Sequence, residues 1–203
     1  QSRVIMFTSF NPAAGKTFSI INLAASMALK KSKVIIVDLD LRKATLTKTF
    51  GKQHSGVAAY LNGRTDDYHS CIDELSSDLF LLPIGTLPPN PTELLLTERF
   101  GKMIDELRKE YDYVFLDCPP IDIVADASII TEKVDMTVFV LRAGRIDKSS
   151  LPYVEELYRN GIYKHMAMVI NSVELLAKKY GYGRRGYGYG YGYGYGYGYG
   201  NQD

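Results

Sequence analysis

The chain has 203 residues, with 24 basic against 23 acidic side chains and a formal net charge of +1. That length fits one domain plus a tail, and charges that nearly cancel leave no electrostatic footprint for nucleic acid. The two cysteines, Cys71 and Cys118, form no spaced framework and share no metal-ligand spacing with His54, His69 or His165, which excludes a disulfide scaffold and a structural metal site.

Apolar, β-branched runs alternate with amphipathic stretches, the pattern of repeated βαβ units. Residues 4–8 (VIMFT) predict a short buried strand that runs into a loop holding Pro12 and Gly15. A helix over 17–29 follows, with Ile20, Ile21, Leu23, Ala24, Met27 and Ala28 at helical spacing. Residues 34–38 (VIIVD) are apolar until the last, as expected of a parallel strand covered on both faces. A third strand is predicted over 79–82. A helix follows over 92–110, with Thr92 as N-cap after Pro91 and Leu94, Leu95, Phe100, Met103, Ile104 and Leu107 buried. Residues 113–117 (YVFLD) predict a fourth strand, stopped by Cys118-Pro119-Pro120. A helix over 125–131, a fifth strand over 136–141, a helix over 148–159 and a closing strand over 166–171 complete the series. The predicted fold is an open, mostly parallel α/β sheet with helices on both faces, of the P-loop NTPase kind.

No apolar run approaches the length of a membrane span and no signal peptide is visible. The chain opens on Gln1, two residues before an apolar strand, an abrupt start that suggests a fragment of a longer protein. Near Tyr180 the character changes. Tyrosine recurs at Tyr180, Tyr182, Tyr187, Tyr189, Tyr191, Tyr193, Tyr195, Tyr197 and Tyr199, with glycine at nearly every other position. Such a segment has no second apolar face and contains the residue most costly to order, so 180–203 is expected to be a flexible tail on a domain of residues 1–179. A competing use of Tyr-Gly repeats is self-association in a cross-β manner.

The chemistry begins at Pro12-Ala13-Ala14-Gly15-Lys16-Thr17-Phe18. A phosphate loop needs backbone N–H groups turned inward, a lysine at the β/γ-phosphates and a hydroxyl for magnesium. Gly15, Lys16 and Thr17 supply these between a strand and a helix, although Phe10 stands where the generic G-x-x-x-x-G-K-[ST] pattern has its first glycine. The second strand ends in Asp38-Leu39-Asp40-Leu41-Arg42 and the fourth in Asp117. Carboxylates at the C-terminal ends of parallel strands project into the crevice where α/β sheets bind ligands. A tyrosine hydroxyl, with a pKa of about 10, is a poor nucleophile at neutral pH, so phosphoryl transfer to it needs a proton acceptor as well as charge neutralisation. Asp38 or Asp40 fits the acceptor role while the other sits near the metal; the spacing leaves the choice open. The bland alternative for this segment is a solvated loop with an Arg–Asp pair.

Four segments in this order resemble the bacterial tyrosine kinases that partner polysaccharide co-polymerases: 9–18 (SFNPAAGKTF), 37–43 (VDLDLRK), 87–95 (LPPNPTELL) and 111–120 (YDYVFLDCPP), followed by a terminal tyrosine cluster. The resemblance implies ATP and Mg2+ as ligands, Lys16 at the β/γ-phosphates and Thr17 on magnesium. It implies Asp38 as the base, with Asp40 and Asp117 serving the metal, and Arg42 in a salt bridge or phosphate contact. Asn171, ending the last strand, falls where related nucleotide-binding proteins contact adenine. Ala13 stands where many members have glycine, which implies a stiffer loop. The family's oligomerising helix belongs before the first strand.

The function implied is a protein-tyrosine kinase that autophosphorylates its tail, subunit to subunit, and regulates capsule or exopolysaccharide synthesis and export. Its implied partners are neighbouring subunits, the membrane co-polymerase region and a cognate phosphotyrosine phosphatase, at the cytoplasmic face of the bacterial inner membrane. Two other classes compete. One is a ParA/MinD-like positioning ATPase, disfavoured because Asn11 stands at the place of its signature lysine. The other is an inactive nucleotide-binding adaptor, disfavoured by the intact aspartates.

Overall fold

The computed structural model describes residues 3–41, 43–51, 55–121, 129–145, 151–163 and 165–173, all within the compact unit Gln1–Val173. Among the described residues, seven strands form one sheet in the order β3-β4-β2-β5-β1-β6-β7. They are β1 (Arg3–Ser9), β2 (Val34–Asp38), β3 (Asp73–Ser76), β4 (Leu79–Leu82), β5 (Tyr113–Asp117), β6 (Met136–Arg142) and β7 (Ala167–Asn171). All pair in parallel except β3, which runs antiparallel to β4 with a register shift between Glu74 and Ser76. The helices whose bounds lie within the described residues include α1 (Lys16–Ala28), α2 (Thr45–Thr49), α3 (Val57–Leu61), α4 (Pro91–Leu95), α5 (Glu98–Glu110) and α6 (Leu151–Arg159).

Strand residues alternate between two cores, as the pleat requires. Val34, Ile36, Phe115, Val138 and Val140 pack with Ile20, Ala24 and Ala28 of α1 on one face. Ile35, Val37, Val114, Leu116, Phe139 and Leu141 pack with Leu94, Phe100, Met103, Ile104, Leu107 and Val154 from α4, α5 and α6 on the other. The central strands are therefore apolar at consecutive positions, because both faces are covered. The expected α/β sheet with helices on both faces is what the chain forms.

Three local expectations need correction. The single helix predicted over 92–110 is two helices. Thr97 is extended (φ −70°, ψ 148°) and its Oγ1 donates to the Leu94 carbonyl at 2.7 Å, satisfying an end carbonyl of α4 instead of continuing the turn. The N-cap of α4 is Asn90 rather than Thr92, with Pro91 in the first turn where its missing N–H does no harm. Strand β3 was not anticipated, because its sequence DELS is polar and only half-buried, as befits an edge. The helix predicted over 125–131 is seen only at 129–131, the remainder lying outside the described residues. The helix predicted from 148 is described from Leu151.

Candidate active site

Strands β1, β2 and β5 are neighbours, so their C-terminal ends bring the phosphate loop and the aspartates to one edge of the sheet. The loop leaves β1 at Ser9, whose Oγ donates to the Asn11 carbonyl at 2.9 Å. It turns at two left-handed residues, Ala13 (φ 61°) and Gly15 (φ 94°). Left-handed backbone is costly for a residue with a Cβ. Ala13 therefore holds its conformation under strain, which accounts for the glycine preference at this place in the family it resembles. Gly15 has a second reason to be glycine: a Cβ there would run into the side chain of Asn171.

Gly15 is also the N-cap of α1, and no side chain caps that helix end. The first N–H groups of α1 consequently have no partner within the helix, which makes this end a fixed anion site. A pocket of about 340 Å³ opens over it, lined by Pro12, Ala13, Ala14, Gly15, Lys16, Thr17 and Phe18 together with Asp40, Lys43, Thr45 and Pro120. Its size and basic, N–H-rich floor suit a polyphosphate.

The acids lie beside that floor. Asp38 and Asp117 are register partners across β2 and β5, and both are almost fully buried. Asp38 Oδ2 accepts from Thr47 N at 2.8 Å and Thr47 Oγ1 at 2.6 Å, and Oδ1 accepts from Asp40 N at 3.1 Å. Burial raises the Asp38 pKa to about 6, against the opposing pull of the Thr47 hydrogen bonds. Asp117 Oδ2 accepts from Thr17 Oγ1 at 2.8 Å, while its buried Oδ1 has no hydrogen-bond partner among the described residues. Burial raises the Asp117 pKa to about 7; Lys16 opposes the shift and Asp38 adds to it. Asp40, 5% exposed, accepts from Lys43 N at 3.0 Å through Oδ1. Cys118 is fully buried, which pushes its thiol up and leaves it inert.

A divalent cation fits this donor set. Magnesium takes oxygen ligands and is usually held by one or two carboxylates plus substrate phosphates. The buried, unpartnered Asp117 Oδ1 and the Thr17 hydroxyl oxygen beside it are hard donors of that kind. Among the described residues no group of three or more His, Cys, Asp or Glu side chains gathers to hold a metal unaided. The phosphates of a bound nucleotide would supply further oxygen ligands.

The structure thus brings together Pro12, Ala13, Ala14, Gly15, Lys16, Thr17, Phe18 and Asp40 around one pocket, with Asp38 and Asp117 behind it. Asn171 lies beside the loop: its Nδ2 donates to the Ala14 carbonyl at 3.1 Å. Arg42 and all nine tail tyrosines lie outside the described residues. Sequence reasoning missed Thr47, which has nothing in its TLTKT context to set it apart from a solvated threonine. It also missed Arg142, whose guanidinium donates to the Ala13 carbonyl at 3.2 Å.

A phosphate loop at the head of a parallel sheet, facing aspartates at the ends of two strands, defines a P-loop nucleotide-binding domain. Residues 2–141 match the AAA domain family. The chain is 36% identical over 181 residues to the tyrosine-protein kinase CpsD of Streptococcus pneumoniae serotype 4, a match covering 88% of this chain and 80% of that protein. The chain belongs to the bacterial tyrosine-protein kinase family. It is also 34% identical over 189 residues to the tyrosine-protein kinase wzc of Salmonella typhimurium, covering 92% of this chain but only 26% of that longer protein. The kinase domain of the Escherichia coli tyrosine kinase ETK superposes with a TM-score of 0.78 at 28% identity, over 91% of this chain and 73% of that one.

Proposed function

We propose that this protein-tyrosine kinase transfers the γ-phosphoryl group of ATP to tyrosines of its own tail, subunit to subunit. The observation that carries the proposal is the pairing of a phosphate-loop pocket with a buried strand-end carboxylate, Asp38, in a chain that ends in nine tyrosines at 180–199. ATP enters with its phosphates over the N-terminus of α1. Lys16 lies at the β/γ-phosphates and neutralises charge that grows on the β–γ bridge oxygen. Thr17, Asp40 and Asp117 would hold magnesium, which when bound would draw charge from the phosphate oxygens. Arg42 contacts the phosphates or pairs with a neighbouring carboxylate, and Asn171 contacts the adenine. A tail tyrosine oxygen then forms a bond to the γ-phosphorus as the bond to the β-phosphate oxygen breaks. ADP leaves, and the phenolic proton passes to Asp38. In-line transfer of this kind is catalysed by positioning and charge stabilisation, and a placed carboxylate removes the proton barrier.

The tail sets who is phosphorylated. From Tyr180 to Tyr199 an extended chain spans at most about 65–70 Å, and glycine-rich flexibility shortens the usual reach, so adjoining subunits are the targets. Each phosphotyrosine adds about −1.5 to −2 charges at pH 7, so several make a near-neutral tail strongly anionic. The unphosphorylated tail docks in a neighbour's site and stabilises an oligomer. Multiple phosphorylation releases it by repulsion from Asp38, Asp40 and Asp117.

In the cell this cycle regulates capsule or exopolysaccharide synthesis and export at the cytoplasmic face of the inner membrane. There the domain works with a membrane co-polymerase region and is reset by a phosphotyrosine phosphatase. Among the described residues no helix is long and apolar enough to cross a membrane. The test mixes a Lys16→Met subunit bearing the tail with an active subunit cut before Tyr180. Phosphotyrosine on the Lys16→Met tail is the expected result; its absence, with the uncut kinase active on itself, contradicts transfer between subunits.

A further inference from the structure

Thr47 is bonded to Asp38 twice. Its backbone N–H and its hydroxyl both reach Oδ2, at 2.8 and 2.6 Å. The direction of the hydroxyl proton is fixed by a third bond: the backbone N–H of Ile84 donates to Thr47 Oγ1 at 2.9 Å. A threonine hydroxyl has one proton to give, and an amide N–H can only donate. The Thr47 proton therefore points at Asp38, and Oγ1 relays from the Ile84 amide to the carboxylate. All of these groups are buried: Thr47 is 1% exposed, and Asp38 and Ile84 are fully enclosed.

This arrangement distinguishes the two oxygens of Asp38. A carboxylate offers about four acceptor positions. Both positions of Oδ2 are filled from Thr47, and one position of Oδ1 is filled from Asp40 N. Among the described residues this leaves a single position, on Oδ1, to accept a proton. Rotation about the Cβ–Cγ bond would exchange the oxygens, and the two Thr47 bonds oppose it.

We propose that Thr47 is a positioning residue for the kinase reaction, clamping Oδ2 of Asp38 so that Oδ1 alone faces the incoming tyrosine. The proposal rests on the reading of Asp38 as the base. It also ties the base to the segment after β4. Thr47 receives the Ile84 amide, while the Ile84 carbonyl and the Pro83 carbonyl accept from Ala58 N and Val57 N at 3.0 and 2.9 Å, at the start of α3. Gly56 permits that approach, since a Cβ there would strike the Pro83 carbonyl. Displacement of a reacting group by about 1 Å costs on the order of a hundredfold in rate, so loss of one clamp bond is felt in catalysis.

The experiment compares Thr47→Val, Thr47→Cys, Thr47→Ser and Asp38→Asn in the full chain. It measures kcat and ATP KM for tail phosphorylation, ADP affinity and the unfolding midpoint. Thr47→Val keeps the backbone bond and volume but removes the hydroxyl; Thr47→Cys, with a weak donor, provides the same reading should the valine variant fail to fold. Both are expected to lower kcat by roughly tenfold to a hundredfold, with ATP KM and ADP affinity close to wild type. Thr47→Ser, which keeps the hydroxyl, restores most of kcat. Adding Thr47→Val to Asp38→Asn produces no further loss. A folded Thr47→Val or Thr47→Cys enzyme with wild-type kcat, beside a strongly slowed Asp38→Asn, overturns the clamp and leaves the base assignment standing. A loss that adds fully to that of Asp38→Asn, or that appears as weakened ADP binding, assigns Thr47 a merely structural part. Wild-type activity in Asp38→Asn overturns the base assignment itself.

Discussion

Asp38 and Asp117 face each other as the last residues of adjacent parallel strands, 0% and 1% exposed, one tied to Thr47 and the other to Thr17. Two carboxylates buried side by side cannot both ionise cheaply, and burial is the main reason that both titrate far above an ordinary aspartate. A bound cation would lower this cost by stabilising the charged form of both carboxylates.

That cost has a pH signature. The folded pKa values, about 6 and about 7, lie above the 3.8 of an ordinary aspartate, so the folded protein retains protons the unfolded chain has lost. The associated stability is fully present below about pH 4 and is lost as pH rises through 6 and 7. Asp117→Asn removes the larger of the two shifts. Without nucleotide, the variant is expected to be more stable than wild type at pH 8, by an amount on the order of 2–4 kcal/mol, and similar to it at pH 4. Urea unfolding at the two pH values measures the difference. A variant equally destabilised at both would show that the Asp117 charge is well satisfied.

The same variant should bind magnesium less well. Asp117→Asn keeps an oxygen for Thr17 but removes the formal charge beside the metal, so half-maximal activity requires more magnesium at saturating ATP. An unchanged magnesium titration would remove Asp117 from the metal site.

Asp38→Asn separates binding from transfer. General-base catalysis is typically worth about 10²–10⁴-fold, and kcat for tail phosphorylation should fall within that range while ADP binding stays near wild type. Lys16→Met, which removes the cation at the transferring phosphate, should abolish phosphorylation with the fold intact by circular dichroism.

Gly15→Ala tests the loop geometry. The new methyl meets a left-handed backbone and the Asn171 side chain at once. Strain of about 1–2 kcal/mol is expected from the backbone alone, and the Asn171 amide must leave the Ala14 carbonyl. Both a lower unfolding midpoint and weaker ADP binding are expected. A variant with wild-type nucleotide affinity would show that the loop tolerates another path.

Most of the fold was legible because central parallel strands are apolar at consecutive positions: VIIVD and YVFLD admit few other readings. The phosphate loop and the three aspartates were legible for a related reason, since polar residues at the end of an apolar strand have a single place to project. What escaped detection depends on contacts distant in sequence. Thr47 is recognisable only once Asp38 and Ile84 are placed around it. Strand β3 is a strand because β4 lies alongside, and DELS has no pattern of its own. Thr97 breaks a run with good helical periodicity by turning its hydroxyl to the Leu94 carbonyl, a choice that hydrophobic spacing does not record.

In the proposed reaction the phosphoryl group ends on tyrosine rather than on water. Incubating the purified chain with ATP and magnesium, then measuring intact mass, ADP, free phosphate and the sites of phosphotyrosine, tests it directly. Successive phosphoryl additions mapped to tyrosines within 180–199 are expected, with ADP formed in proportion to phosphotyrosine and none of either in Lys16→Met. ADP and free phosphate released without phosphotyrosine would contradict it and mark the chain as a nucleotide-switched ATPase.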